Sequence, residues 1–265
     1  MMGSFLKLVL IIAIISGVFL VGIVVKYRSE GDRLYARYAA YTQRVLDKRL
    51  ALQPYPVKEQ YRIIHPWKAL KLIRIAIDSN EGERFRRLNI LDATMFFSIR
   101  MFTLFILPDY RYNLPMLSVD IIFIGGKRIF IIEVIDPAGI EDENLAVNYE
   151  KLRAWKPEVD RLEHAEIDME WCKDIVTDFS IHSKADRSKD DLLFDIYKSF
   201  LNTYLDMTDN ARELNAEDSL KVQQGMEGYV GALLAKGGPA VDVFKVLLGK
   251  KKQHEYVRAV MFGVD

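Results

Sequence analysis

The chain has 265 residues with 37 basic and 37 acidic side chains, so its formal net charge is zero. Half of the residues are hydrophobic, which excludes an intrinsically disordered chain, and the lack of a basic excess argues against nucleic acid as a partner. One cysteine, Cys172, excludes a disulfide framework and cysteine-based metal sites. The four histidines lack metal-binding spacing, so we predict no metal site.

The N-terminal region contains an apolar run. Residues 8–25 are uncharged and mainly apolar, which is long enough for one helix across a hydrocarbon core of about 30 Å. A cleaved signal peptide is the alternative, but its apolar region would be shorter and would end in a small-residue motif. We therefore predict a single-pass membrane anchor through residues 5–25. More basic residues follow the run than precede it, which places the C-terminal domain in the cytoplasm.

With the anchor assigned to residues 1–30, residues 31–265 are enough for one domain and too few to require two. Periodicity and breakers predict its helices at 31–52, 141–155, 191–209, 217–234 and from Pro239 onward. Apolar, β-branched runs predict strands at 85–90, 95–107, 119–124, 128–135 and 175–181.

The order of these elements indicates the fold class. Gly125-Gly126 between two apolar runs is typical of a hairpin, and consecutive strands joined by hairpins form an antiparallel sheet. The strands alternate poorly, which suggests that both faces are covered. We predict an α/β fold of the α/β/α sandwich type, with a central antiparallel sheet flanked by helices and one N-terminal transmembrane helix.

Asp120 is a carboxylate inside an apolar strand, between Val119 and Ile121. A buried carboxylate either finds a partner or has its pKa raised, and a raised pKa allows it to donate a proton near neutral pH. An aspartate that caps a loop at a strand end is the alternative. The sequence contains no phosphate-binding glycine loop and no nucleophile elbow, so Asp120 is its main candidate for chemistry.

The stretch around Asp120 resembles the signature of the ferredoxin-dependent bilin reductases. In that family, a strand and turn with proline, tyrosine and a Leu-Pro pair lead to the central catalytic aspartate. The matching residues here are Pro108, Tyr112, Leu114, Pro115 and Asp120, with Leu117 and Ser118 in place of the usual Phe-Gly. The resemblance covers about residues 34–265, and later segments that carry it are 131–137, 171–183 and, most closely, 243–264.

This resemblance implies an enzyme that holds biliverdin, an open-chain tetrapyrrole, between the sheet and the C-terminal helices. It implies no bound flavin, nicotinamide or metal, because electrons arrive singly from external ferredoxin and the protein supplies protons to bilin radicals. The implied reaction is the reduction of biliverdin, or of a partly reduced bilin, to a phycobilin- or phytochromobilin-type product. Asp120 is then the proton donor near the pyrrole nitrogens.

Two departures from the family pattern affect the site. Many members have a second aspartate before the last helix, where this chain has Gly238; Asp242 lies one turn further along and is either a second catalytic acid or a solvated helix residue. Some members use a glutamate and a histidine upstream of the central aspartate, and the matching positions here are Leu91 and Thr103.

The two propionates of biliverdin require cationic partners. Arg100, Lys127 and Arg128 are candidates by location, and solvated charges at strand edges are the alternative. Ferredoxins are acidic, so a basic contact surface is expected. Lys250, Lys251 and Lys252 either belong to it or form a plain solvated run.

Three functions remain open from the sequence. The first is a membrane-anchored bilin reductase, with Thr103 and Gly238 among the substrate contacts. The second is a non-catalytic bilin-binding or carrier protein with the same fold. The third is a membrane-tethered interaction domain without pigment.

Overall fold

The computed structural model describes residues 2–66, 72–96, 98–166, 170–237 and 239–264. Within these ranges, the side chains of residues 2–21, 170, 239 and 240 are not described. Statements below about what is present or absent refer to this part of the chain.

The described residues form one antiparallel sheet with helices on both faces, which confirms the predicted layers. The strands are β1 (Gln53–Pro54), β2 (Ile63–Ile64), β3 (Ile73–Gly82), β4 (Phe85–Met95), β5 (Ile99–Pro108), β6 (Met116–Ile124), β7 (Lys127–Ile135), β8 (Glu163–His164) and β9 (Ile181–Asp186). Their order across the sheet is β1-β3-β4-β5-β6-β7-β9-β8, and β2 also pairs with β3.

The helices precede and follow this block of strands. They are α1 (Met2–Arg49), α2 (Glu59–Arg62), α3 (Glu143–Arg153), α4 (Lys156–Val159), α5 (Asp190–Asp209), α6 (Ala216–Lys236), α7 (Pro239–Leu248) and α8 (Lys250–Glu255). A π-helical segment, Tyr256–Phe262, continues α8 to the C-terminal end of the fold. The helices α1, α3 and α5 cover one face of the sheet, and α6, α7 and the π-helical segment cover the other.

Helix α1 packs on the first face through aromatic side chains and buried ion pairs. The ring of Tyr38 contacts Phe102 on β5 and Tyr197 on α5. Arg128, whose side chain is 1% exposed, binds Glu30 of α1 at 2.5 Å and Asp190 of α5 at 2.6 Å. Because burying an unpaired guanidinium would cost several kcal/mol, about 3–5 in measured cases, this pairing fixes α1 and α5 against the sheet.

The C-terminal layer is held to the second face by a buried amide. Asn89 of β4 donates from Nδ2 to the carbonyl oxygens of Val260 and Met261, at 3.1 and 2.8 Å. Gln253 of α8 donates to the carbonyl oxygen of Val241 on α7 at 2.9 Å. The Asn89 bonds satisfy carbonyl groups near the end of the π-helical segment, where helical donors run out, and they fix this segment over the sheet. The Gln253 bond ties α8 to α7.

The predicted hairpin at Gly125-Gly126 is confirmed, since these two residues join β6 and β7, and Gly125 has a φ of 55°. The strand predicted at 175–181 is misplaced: the paired strand β9 begins only at Ile181, and before it Val176 forms an isolated bridge with Ile135. β9 alternates buried Ile181 and Ser183 with more polar residues, a pattern that a search for apolar runs overlooks. The sequence analysis also missed β3.

Among the residues that could be searched, no helix is both long and apolar enough to cross a bilayer. The predicted span through residues 5–25 lies largely before Gly22, outside the described side chains. The membrane anchor therefore stays a prediction from the sequence.

Candidate functional site

A cavity of about 250 Å³ lies between the second face of the sheet and the C-terminal helices. Its walls are mostly apolar or aromatic, and they come from β3 to β7 on one side and from α6, α7 and the π-helical segment on the other. Trp171 and Tyr229 stack at 5.6 Å with their planes 26° apart and line the cavity. The cavity therefore has an aromatic wall suited to a planar, conjugated ligand.

Asp120 lies on β6, at the centre of the sheet, and its side chain lines this cavity. Its neighbours Val119 and Ile121 are fully buried on the opposite face, because successive side chains of a strand point to opposite faces. The Thr103 hydroxyl donates a hydrogen bond to Oδ1 of Asp120. The interpretation of Asp120 as a loop cap at a strand end is therefore wrong.

The environment of Asp120 favours its neutral form. Burial raises its pKa to about 6, the hydrogen bond from Thr103 acts to lower the pKa, and the charge of Glu133 acts to raise it. A carboxyl group with a pKa near 6 is protonated in a useful fraction of molecules near neutral pH. It can then donate a proton to a ligand and be restored from solvent.

A second carboxylate, Glu133 of β7, lines the same cavity. It is 8% exposed, and its Oε1 lies 2.9 Å from Nε2 of His182 on β9. Tyr229 of α6 lines the same cavity. Burial and then the charges of Glu133, Cys172 and Asp120 raise the pKa of Tyr229 well above its usual value. Tyr229 therefore keeps its hydroxyl proton.

Sequence comparison assigns the chain to a family. The sequence model described as ferredoxin-dependent bilin reductase matches residues 39–263. The chain belongs to the ferredoxin-dependent bilin reductases. One relative of this bilin reductase is the phycoerythrobilin:ferredoxin oxidoreductase of Gloeobacter violaceus. The two chains are 21% identical over 244 residues, which cover 88% of this chain and 96% of the relative.

A solved structure shares the fold of this bilin reductase. Tomato phytochromobilin synthase, crystallised in complex with biliverdin, superposes with a TM-score of 0.70 and 15% sequence identity. The match covers 86% of this chain and 83% of the tomato chain. This agreement confirms the predicted sandwich.

The positions that family resemblance marked on β4 and β5 do lie beside Asp120 in this bilin reductase. Leu91 pairs with Thr103, and Thr103 pairs with Asp120, so the three form one row across the sheet on the cavity side. Leu91 adds only apolar surface, whereas Thr103 touches the Asp120 carboxylate. Among the predicted substrate contacts that the structure describes, Thr103 is therefore the one that lines the cavity.

The predicted cationic partners lie elsewhere. Arg100 is on the opposite face of β5, where it pairs with Asp32 and Asp92 and packs over the Tyr35 ring. Arg128 is held by its two carboxylates on that same face. Lys127 is exposed at the hairpin end of β7. Since ion pairs hold both arginines against the α1 layer, the structure brings no predicted cation to the cavity wall.

The second predicted acid also lies away from the cavity. Helix α7 turns Val241 and Phe244 inward, so Asp242, about 100° around the helix from Val241, is exposed. Its carboxylate lies beside Gly237, 3.0 Å from where a Cβ of that glycine would be. Gly238 is outside the described residues.

Sequence reasoning missed Glu133, His182, Trp171 and Tyr229. Glu133 carries the same signal as Asp120, a lone carboxylate within an apolar strand, here between Ile132 and Val134. No comparable signal marks the others, because their position depends on how β9, α6 and the segment around Trp171 pack against the sheet.

Proposed function

We propose that this chain reduces biliverdin, or a partly reduced bilin, with electrons from ferredoxin and a proton from Asp120. The observation that carries the proposal is the Asp120 carboxyl, with a pKa of about 6, on the wall of an apolar cavity with aromatic rings. Membership of the ferredoxin-dependent bilin reductases supplies the substrate class and the external electron donor. The biliverdin in the tomato phytochromobilin synthase complex supports the choice of biliverdin.

The protein's part in such a reaction is to hold the bilin and to supply protons. Each electron from ferredoxin makes the conjugated bilin more basic, and a neutral carboxyl in contact with it then transfers a proton. The apolar walls limit access of water to the reactive bilin radical. The new C–H bond forms where the donor meets the pigment, so the position of Asp120 under the ligand would influence which double bond is reduced.

The cavity volume of about 250 Å³ is below the roughly 300–1,000 Å³ usual for pockets that enclose drug-sized ligands. A tetrapyrrole would therefore extend beyond it, which allows its propionates to reach the protein surface. No lysine or arginine is among the described residues that line the cavity. We propose that the propionates lie toward solvent.

We further propose that ferredoxin docks on a lysine surface beside the cavity. This surface comprises exposed residues at the end of α6 and on α7 and α8: Lys236, Lys245, Lys250, Lys251 and Lys252. Gly237 lines both the cavity and the surface depression that Lys236, Lys245 and Lys250 border. An acidic donor bound there would be close to the bilin, and its association would be steered by opposite charge.

The decisive experiment compares Asp120→Asn with Asp242→Asn in the full-length protein. Biliverdin binding is followed by visible absorption, and turnover is followed anaerobically with photoreduced ferredoxin. We expect Asp120→Asn to bind biliverdin but to turn over about 10²–10⁴-fold more slowly, with a radical intermediate accumulating. At saturating ferredoxin, we expect Asp242→Asn to stay within about threefold of the wild-type rate, because its side chain lies outside the cavity. Ferredoxin is kept saturating because Asp242 borders the depression proposed as its docking site.

Other outcomes would favour other functions. Binding of biliverdin without turnover by the wild-type protein supports a bilin carrier. A carrier would not need the glutamate and histidine that some family members have at the positions of Leu91 and Thr103. An unchanged biliverdin spectrum would contradict any bilin function. Full turnover by Asp120→Asn would refute its role as the proton donor.

The location of the chain is a separate proposal. On the strength of the apolar run at residues 8–25 and the basic residues after it, we propose a single-pass anchor with the reductase domain in the cytoplasm. Resistance of the expressed protein to extraction by alkaline carbonate supports this proposal, and release into the supernatant contradicts it.

A further inference from the structure

Glu133 and His182 form a buried acid–base pair at the cavity, and the proton donation proposed for Asp120 does not use it. Glu133 lines the cavity, and its Oε1 is 2.9 Å from Nε2 of His182. Both side chains are largely buried, with 10% and 15% of their surfaces exposed. At this distance the two groups are hydrogen-bonded through one ring nitrogen and one carboxylate oxygen, so the contact provides a path along which a proton can pass between them.

Sheet register places this pair next to Asp120. Ile131 of β7 pairs with Asp120 on one side and with His182 on the other, and Glu133 is two residues further along the same face. Diagonal neighbours of this kind lie about 7–8 Å apart, with their Cβ atoms somewhat closer, so Asp120 and Glu133 can contact different atoms of one flat ligand. Tyr229 of α6 closes the group from the opposite layer.

The stoichiometry of bilin reduction gives this pair a role. Adding two electrons across a double bond also adds two protons, whereas Asp120 holds only one at a time. Burial restricts how fast solvent can restore that proton. A second donor on the same wall removes the need to reprotonate Asp120 between the two steps.

We propose that Glu133 is the second proton donor to the bilin and that His182 restores its proton. This inference rests on the proposed function. In a two-electron reduction, two reduced ferredoxins each supply one electron, Asp120 supplies one proton and Glu133 supplies the other. The His182 imidazolium then protonates the Glu133 carboxylate, and His182 and Asp120 each recover one proton from solvent before the next turnover, so charge and atoms balance.

Glu133 on β7 and His182 on β9 lie on one side of Asp120 in the sheet, and Leu91 and Thr103 lie on its other side. His182 acts through Glu133 and is a positioning and relay residue. The pair needs no movement of the backbone to operate, because Glu133 already lies on the wall and His182 already touches it.

The test uses full-length Glu133→Gln, which keeps the size of the side chain and a hydrogen bond to His182 but cannot donate an acidic proton. With biliverdin and photoreduced ferredoxin, we expect near-normal pigment binding, turnover slowed by at least about tenfold, and accumulation of a singly protonated intermediate seen by absorption and electron paramagnetic resonance. Glu133→Asp keeps a carboxylic acid and should recover part of the rate. His182→Gln should slow turnover less than Glu133→Gln does.

Glu163→Gln is the matched control, since Glu163 is exposed on β8 and its nearest cation, Lys184, is 3.7 Å away. We expect it to behave as wild type. Unchanged turnover by Glu133→Gln overturns the inference, and so does a slowed rate without a trapped intermediate, which would assign the pair a structural role. Failure of the wild-type protein to turn over biliverdin contradicts the proposed function itself and is seen before any variant is made.

Discussion

Thr103 and Asp120 face each other directly across β5 and β6, and the Thr103 hydroxyl donates to the Asp120 carboxylate. A donor of this kind stabilises the charged form of the acid, so it lowers the pKa that burial raises. Thr103 therefore adjusts how much of Asp120 is protonated at a given pH. This relationship makes the pH dependence of the reaction a test of the site.

Thr103→Val should move the pH profile of bilin reduction. A proton donor with a pKa of about 6 loses activity as the pH rises through that value. Removing the hydroxyl raises the pKa further, so the alkaline fall in kcat/KM should shift to higher pH. Thr94→Val is the control, because Thr94 lies on the opposite face beside Arg100. A shift to lower pH, or equal profiles, would contradict this assignment.

Asp120→Asn should stabilise the ligand-free protein at neutral pH. The pKa of Asp120 is about 6 in the folded chain and near 3.8 when unfolded, so the folded state binds more protons between these values and stability falls as the pH rises from 4 to 6. The amide avoids this loss. A shift of about two pKa units corresponds to about 3 kcal/mol, and about 1 kcal/mol moves the melting temperature of a domain of this size by roughly 2–4 °C. We therefore expect the melting temperature of Asp120→Asn to exceed that of wild type by several degrees at about pH 7.5.

The same comparison at pH 4 is the internal control, since wild-type Asp120 is then mostly protonated and the difference should nearly vanish. A lower melting temperature for Asp120→Asn at pH 7.5, or a difference independent of pH, would show that burial of this carboxyl carries no penalty.

Arg100→Met should weaken the fold without affecting bilin binding. Arg100 is held by Asp32 of α1 and Asp92 of β4 on the face away from the cavity. Loss of this buried cation leaves Asp32 and Asp92 with only their more exposed partners Arg28 and Arg74, so we expect the free energy of unfolding to fall by about 3 kcal/mol in urea titrations. The half-exposed Arg74 also pairs with Asp92, and Arg74→Met should cost about 1 kcal/mol at most.

Biliverdin affinity should be equal in both variants and in wild type, as measured by absorption titration on folded protein. A tenfold loss of biliverdin affinity in Arg100→Met alone would support Arg100 as a propionate partner, as the sequence suggested.

Reversing charge on the lysine surface should weaken the ferredoxin interaction. The double variant Lys250→Glu with Lys251→Glu should raise KM for ferredoxin by on the order of tenfold at low ionic strength, with kcat little changed, because rim charges act on association. The effect should shrink as salt screens the charges. The control is Lys48→Glu with Lys221→Glu, which makes the same change in net charge at exposed positions elsewhere. Equal KM values for the two double variants would contradict the docking site.

Much of the architecture follows from local patterns. The helix over residues 31–52 ends at Arg49, the helix over 191–209 begins at Asp190, and the glycine pair at 125–126 does turn β6 into β7. These features depend on neighbouring residues, which the sequence displays directly. The sequence also indicates Asp120 as a candidate, since a carboxylate among the apolar residues of a covered strand has a high desolvation cost.

Only the tertiary structure decided which other groups meet Asp120. The sequence offered Asp242, Arg100 and Arg128, but helix α7 turns Asp242 outward, and ion pairs with α1 and α5 hold both arginines on the other face. Glu133 and His182 come together because β7 and β9 pair across 49 positions of sequence. Alternation along a strand fixes which residues share a face, whereas the choice of layer and of ion-pair partner is made by packing between distant segments, which no local pattern records.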